Sequence, residues 1–497
     1  MNQLTRKQFL KSSLALGGTA LLGHSRLGAA VAAPGSPNGD IRVAVVGLNK
    51  QGAGHMRTYF NLPGAKLAAL CDVDAQVLGR RIEDCEKQGL KVASVHDYRE
   101  LLERKDVDAV VLATPNHQHS IQTIWALQAG KDVYVEKPLS HNIWEGRQAV
   151  AAAEKYTKNI AYAGTQNRSS LDLQNALGQV RAGKFGKILW ARGLCYKRRD
   201  SIGQTTGAQP VPPSLDYDLW CGPAPLELPH RNSKENGTVH YDWHWFWQAG
   251  GGDITNQGIH QMDVARWLLG ESGLPTKVQS FGGRFGYDDD AETPNTLVSV
   301  FHYEKAPLIF EVRGLPMKPG MRAMDRYRAA QIGVILQCEH GYVHAAENGT
   351  VTIYDNNHKV LQNLAEGGNG QHRANFIKAV QSREVVNAPV LEAHYSSALC
   401  HLGNLSYLAG REQPVSAVGD ALKSHELAKE AFDRTAEHLK ANGVGLDSAK
   451  MVLGPVLTVD RATETVTADD RAAADAANGS PLRKRSGRAG FEIPQLA

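Results

Sequence analysis

The sequence predicts an α/β protein with an N-terminal, doubly wound parallel sheet and a second α/β domain built on a large, mostly antiparallel open sheet. Three observations predict it. Short apolar runs at residues 41–46, 66–71, 108–113 and 132–135 alternate with helical patterns at 52–60, 74–88 and 117–129, the grammar of βαβ units. After about residue 164 the pattern changes. Runs at 187–196, 277–285, 296–303, 308–312 and 331–338 follow one another with little helix between them, as in an antiparallel sheet. The length of 497 residues makes two or three domains at ~100–200 residues each.

The elements divide the chain into five parts. Residues 1–33 read as an export signal, with Arg6, Lys7 and Lys11 at the start, a weakly apolar middle, and Ala30-Val31-Ala32 suited to cleavage. The segment resembles a twin-arginine signal, with Lys7 where a second arginine usually stands. It predicts an exported or periplasmic protein, or a cytoplasmic one if the signal does not function. Its apolar part is too short and too Gly-rich to be a stable membrane anchor. Residues 34–40 are a linker, 41–165 a dinucleotide-binding domain, 166–412 a substrate and oligomerisation domain, and 413–497 a helical extension with a poorly packed polar tail.

Composition excludes several classes. Hydrophobic residues make up 42% and charged residues 21%, enough for a sizeable core. The net charge of +4 resides in residues 1–33, where Arg6, Lys7, Lys11 and Arg26 meet no acid. The neutral remainder argues against nucleic acid or anionic membrane as a partner. Six scattered cysteines form no C-x-x-C pair, which argues against a zinc ribbon or a disulfide scaffold. No His, Cys and acidic set has metal-ligand spacing, so no metal is expected.

The first βα turn is Gly47-Leu48-Asn49-Lys50-Gln51-Gly52. It matches the Rossmann fingerprint G-x-G-x-x-G at Gly47 and Gly52, with Asn49 in the middle position. Such a turn presents backbone N–H groups and a helix dipole to a diphosphate. Asp72 ends the second strand, 20 residues after Gly52. An acid there accepts from ribose hydroxyls and repels a 2′-phosphate, which favours NAD over NADP.

Three further motifs follow in order. They are Thr114-Pro115-Asn116-His117-Gln118-His119, Glu136-Lys137-Pro138, and the run from Gly250-Gly251-Gly252 through Asn256 and His260 to Asp263. With the glycine turn, the chain resembles the Gfo/Idh/MocA oxidoreductases over roughly residues 41–410. That family shows T-P-N-x-x-H, E-K-P and G-G-x-x-x-D-x-G-x-H-x-x-D. The resemblance implies that Lys137 sits near the nicotinamide and helps move the hydroxyl proton, and that His260 is its acid/base partner. It places Gly47, Leu48, Asn49, Gln51, Gly52, Asp72, Thr114, Pro115, Asn116, His119, Glu136, Lys137 and Gln166 around the cofactor. Asn256 replaces the family's Asp. Four residues apart on a helix, Asn256 and His260 would share a face, but Asn cannot stabilise an imidazolium as a carboxylate does. Asp263 either supplies that charge or makes a helix salt bridge.

Position suggests further substrate contacts. Arg168 closes the first domain and Tyr196 ends the first strand of the second. Trp243, His244, Trp245 and Trp247 precede the triple glycine; such rings pack in cores and also stack on sugar faces. The substrate set is therefore Lys137, Arg168, Tyr196, Trp243, His244, Asn256 and His260. The leading function is an NAD(P)-dependent oxidoreductase acting on a sugar, polyol or glycoside hydroxyl, with its cofactor tightly held and exported bound. The alternatives are an NAD-dependent glycoside hydrolase that oxidises transiently and eliminates, and a non-catalytic sugar-binding relative. The broad second sheet offers a face for a homo-oligomer.

Overall fold

The computed structural model describes residues 39–227, 237–328 and 330–497. The expected export segment and most of the linker lie outside them. The first sheet is built from β1 (Ile41–Val46), β2 (Ala65–Cys71), β3 (Ala93–Val95), β4 (Ala109–Leu112), β5 (Asp132–Val135) and β6 (Ala161–Ala163). All its pairs are parallel, in the order β3-β2-β1-β4-β5-β6. That order reverses between β1 and β4, which opens a crevice at the strands' carboxyl ends. The helices α1 (Lys50–Thr58), α2 (Ala75–Glu86), α3 (Tyr98–Glu103), α4 (His119–Gln128) and α5 (Ile143–Lys155) connect the strands. β4 and β5 are buried along their whole length, which is why they read as unbroken apolar runs. α2 starts where the Asp74 side chain accepts from the amides of Gln76 and Val77, a capping bond worth ~1 kcal/mol.

Among the described residues the second sheet has twelve strands. Its spine is β7 (Ile188–Tyr196), β8 (Lys277–Gly283), β9 (Thr296–His302), β10 (Leu308–Arg313) and β11 (Ile332–Cys338). β12 (Gly341–Ala346), β13 (Val351–Tyr354) and β14 (Val360–Leu364) extend one edge. The β7–β10 pair is parallel and the other pairs are antiparallel. One face is covered by α6 (Leu171–Arg181), α9 (Gly258–Leu269) and α11 (Val390–Leu408), whose apolar side chains form the main core with the sheet. A short helix, α7 (Tyr217–Cys221), interrupts the long loop after β7. α8 (Gly252–Asn256) precedes α9, and α10 (His372–Ser382) precedes α11.

The C-terminal region corrects the expected extension and poorly packed tail. β15 (Arg411–Pro414), β16 (Lys450–Leu453), β17 (Leu457–Asp460) and β18 (Thr465–Thr467) all belong to the second sheet, which therefore runs past residue 412. α12 (Val415–Ala421) and α13 (Glu426–Ala441) pack Val418, Phe432 and Leu439 against Phe281, Val298 and Ile309 on the sheet's other face. The face expected to meet another subunit is thus partly covered by the chain itself. Beyond α14 (Arg471–Gly479) the tail returns to the first domain, where Phe491 and Ile493 are buried against its core. Composition hid this because few apolar anchors, spaced among polar residues, carry the packing.

Candidate active site

The crevice at the reversal of strand order holds a cavity of about 570 Å³. One wall is the glycine turn. Gly47 has φ +77°, and a Cβ there would stand 2.8 Å from the Ala113 carbonyl oxygen, so only glycine fits. Asn49 precedes α1 without a side-chain capping bond, leaving the helix N-terminus open to an acceptor. A Cβ on Gly52 would fall 1.6 Å from the Gly47 carbonyl oxygen. Gly52 therefore seats the helix on the turn and does not line the cavity. A glycine-built backbone turn at an uncapped helix start fits a dinucleotide diphosphate.

Asp72 lies at the next strand end. Its carboxylate accepts from the Leu48 amide at 2.6 Å and the Asp74 amide at 2.9 Å. Burial pushes its pKa up to about 6, with those two amides opposing. Leu48, Asn49, Gln51, Asp72, Thr114, Pro115, Asn116, His119, Glu136, Lys137 and Gln166 all line the cavity. His119 bridges two loops, one ring nitrogen 2.8 Å from the Thr114 carbonyl oxygen and the other 2.6 Å from that of Pro138.

At the far end, Glu136 anchors a relay the sequence did not reveal. Its Oε1 accepts from His55 Nε2 at 2.8 Å, Gln51 Nε2 at 2.8 Å and Gln166 Nε2 at 3.3 Å. Arg373 Nε donates to His55 Nδ1 at 3.1 Å, so the His55 proton sits on Nε2 and points at Glu136. Burial raises the Glu136 carboxyl, but the His55 hydrogen bond and the charges beside it hold it well below the usual carboxylate range. His55 follows Gly52 by three positions on the nucleotide helix, a signal that could have been read. Arg373 comes from α10, and nothing in the sequence joins it to residue 55.

Lys137 and His260, from the two domains, line the same cavity. Lys137 Nζ donates to the Asn256 carbonyl oxygen at 2.9 Å. Burial lowers its pKa, Glu136 opposes, and Lys197 and Arg199 lower it further. Burial, and then the Lys137 charge, push His260 down to about 3, so its imidazole is neutral at ordinary pH. Asn256 and His260 do not share one regular helix: α8 ends at Asn256 and α9 begins at Gly258. Asn256, Trp243 and His244 also line the cavity. The Trp243 and His244 rings stack with centroids 3.7 Å apart. Trp243 also packs in an apolar cluster with Leu215 and Trp220, while Trp245 and Trp247 pack against other clusters and do not line the cavity.

Two expected substrate contacts are corrected. Arg168 lies outside the cavity lining, 5% exposed, and its guanidinium is fixed by Asp263 Oδ1 at 2.7 Å, Asp263 Oδ2 at 2.9 Å and Glu392 at 3.1 Å. Asp263 is thereby in a salt bridge and also accepts from Ser396 Oγ at 2.7 Å. Tyr196 donates to Glu311 Oε2 at 2.5 Å, with Arg313 over its ring. Strand alternation explains the miss. The neighbouring Lys197 instead donates to Gln257, beside Asn256, at 2.7 Å.

Burial also depresses other histidines. His117 and His244 fall to about 3, and His372 and His401 to about 4. Unfolded, each would titrate near 6.5, so the unfolded chain binds more protons below that pH. The stability these groups contribute is complete above about pH 6.5 and is lost as pH falls toward 4. Asp72, raised to about 6, and Asp132, also raised by burial, act in the opposite sense over part of that window, two groups against several. Thermal melts should show Tm falling steadily from pH 6.5 to 4. A rising Tm there would contradict the neutral buried histidines.

Comparison with known proteins agrees with this fold. Residues 41–163 match the family described as "Oxidoreductase family, NAD-binding Rossmann fold", and residues 227–313 match the "GFO/IDH/MocA C-terminal domain". These two segments are Gfo/Idh/MocA domains. A glycosyl hydrolase family 109 protein of Shewanella pealeana is 31% identical over 205 residues, 38% of this chain and 45% of that protein. An alpha-N-acetylgalactosaminidase of Shewanella oneidensis is 33% identical over 154 residues, 30% of this chain and 33% of that protein. The chain thus aligns with less than half the length of these curated relatives. Among solved structures, a WlbA dehydrogenase from Bordetella pertussis, in complex with NADH and UDP-GlcNAcA, superposes with a TM-score of 0.54. It is 20% identical, over 72% of this chain and 94% of that one. An oxidoreductase domain protein from Kribbella flavida gives 0.56 at 17% identity, over 73% and 96%.

Proposed function

We propose that this Gfo/Idh/MocA chain holds NAD in the crevice and oxidises or reduces a hydroxyl-bearing carbon of a sugar, polyol or glycoside. One observation carries the reading: a lysine and a neutral imidazole from different domains line the cavity that begins at the glycine turn. The Gly47–Asn49 turn would take the diphosphate and Asp72 the adenosine ribose. Bound nicotinamide supplies a hydride acceptor and donor. Lys137, its pKa lowered by burial, takes the hydroxyl proton as the carbon is oxidised and returns it on reduction. His260 orients the substrate hydroxyl by hydrogen bonding. The Trp243 ring offers an apolar platform for a sugar face.

A second reading is redox-neutral cleavage of a glycoside, with oxidation, elimination and reduction in one site. The names of the Shewanella relatives favour it. It needs no pair of carboxylates flanking a glycosidic bond. Incubating purified protein with a chromogenic N-acetylgalactosaminide without added cofactor, and separately with free sugars and added NAD, decides between the two. Chromophore release supports hydrolysis. Reduction of added NAD by free sugar supports a dehydrogenase. Neither reaction, with dinucleotide fully bound, supports a binding protein. Export in the folded state would carry the cofactor along, and cell fractionation tests that location.

The preference for NAD rests on Asp72. Asp72→Ser should raise affinity for NADP relative to NAD by about tenfold, the equivalent of ~1.4 kcal/mol. Titration with both dinucleotides measures it, and an unchanged ratio removes Asp72 from the discrimination.

A further inference from the structure

The adenosine end of the crevice is covered by residues of the second domain. Leu215, Leu219 and Trp220 line the cavity opposite Asp72 and Val73. This strap is tied to the end of β2 along one side. The Asp216 amide donates to the Val73 carbonyl at 2.9 Å, the Ala75 amide donates to the Ser214 carbonyl at 2.8 Å, and His240 pairs with Asp74 at 3.0 Å. Its other end is α7, a single turn of helix. An element that short has no stability of its own, so something must hold it.

The first domain holds its middle, where Gln118 Nε2 donates to the Leu219 and Trp220 carbonyls at 2.8 Å each and His117 Nε2 lies 2.7 Å from the Trp220 carbonyl oxygen, and the C-terminal tail holds its two ends. Arg488 donates through Nε to the Gly222 carbonyl at 2.8 Å and through Nη2 to the Asp218 carbonyl at 2.8 Å, and pairs through Nη1 with the Asp218 carboxylate at 2.6 Å. One guanidinium thus binds both ends of the segment that carries Leu219 and Trp220. Three residues on, Phe491 is buried in the first domain's core, and Leu219 packs against the same cluster. Three residues earlier, Arg485 is 8% exposed. It pairs with the fully buried Glu145 at 2.6 Å and donates to the His117 carbonyl at 3.0 Å. The tail therefore has a fixed anchor on each side of Arg488. The Gly222 backbone also approaches Gln118 so closely that a Cβ would meet its side-chain amide at 2.5 Å.

We propose that the tail is a clasp, in which Arg488 holds the 214–222 strap closed over the adenosine end and so sets how slowly the dinucleotide leaves. The inference rests on the dinucleotide reading of the crevice. Arg488 touches neither substrate nor cofactor in this scheme; it is a positioning residue that acts through Asp218 and Gly222. Release of a dinucleotide from beneath the strap requires α7 to lift, and lifting it breaks three hydrogen bonds to one side chain.

The test loads full-length protein and its variants with NADH, then follows fluorescence loss after adding excess NAD. For Arg488→Ala the release rate should rise at least tenfold. Arg488→Lys, which keeps the charge but not the fork, should fall between. The melting temperatures of the dinucleotide-free forms should stay together, because Arg488 sits at a partly exposed site and Arg485 still anchors the tail. A chain ending at Ser486 also loses the buried Phe491 and Ile493 and should melt below the point variants; it provides the second variant and should release as fast as Arg488→Ala or faster. Equal release rates for all forms would overturn the clasp. Failure of the unaltered chain to take up NADH would overturn the dinucleotide reading instead.

Discussion

Lys137→Ala should lower turnover by ~10²–10⁴-fold, the scale of a positioned acid–base group, while the dinucleotide stays bound. The two outcomes separate because the proposed diphosphate and ribose contacts, the Gly47 turn and Asp72, are other residues than Lys137. Its neighbours also predict the pH profile. A lysine acts as a base only when neutral, so oxidation should accelerate with pH up to the lowered pKa of Lys137 and then level. His260, neutral above about pH 3, adds no acid limb near neutrality. Lys137→Arg keeps a cation and cannot lose its proton, and should be as slow as the alanine variant. Turnover within a few-fold of the unaltered chain would remove Lys137 from the chemistry. Loss of bound dinucleotide with it would make Lys137 a binding group.

Asp263→Ala should destabilise the fold by ~3–5 kcal/mol, because it breaks a buried ion pair by removing one partner. Asp263 is 1% exposed and faces Arg168, which is 5% exposed. Without it, Arg168 keeps only Glu392, a carboxylate already shared with Arg266. Arg266 itself is fully buried, so two guanidinium groups would compete for one half-exposed acid. Denaturant unfolding measures the loss as a lower midpoint at unchanged slope. Asp263→Asn should recover part of it through hydrogen bonding to Arg168 and Ser396. A stable Asp263→Ala protein with a raised KM would instead return the pair to substrate binding.

These two expectations also mark how far the sequence reaches. The glycine turn, Asp72 and the E-K-P tripeptide were legible because each is local. A tight turn needs glycine at one place, and a strand end fixes where the next side chain points. Arg168 and Tyr196 were misplaced because proximity in sequence to the crevice says nothing about which face of a strand or turn a side chain takes. His55 and Arg373 are joined across more than three hundred positions, so their contact has no periodicity to read. The tail was misread for the same reason. Its composition is that of a solvated segment, yet Arg485, Arg488 and Phe491 each dock on a separate, distant element.

The sequence by itself determined the two kinds of sheet and the glycine turn between the first strand and the first helix. These follow from alternation, from glycine's freedom and from short-range spacing. Only the tertiary structure decided which charges are spent inside the protein and which remain facing the cavity. That depends on burial, and burial is a property of every element packed around a group rather than of the residues beside it in the chain.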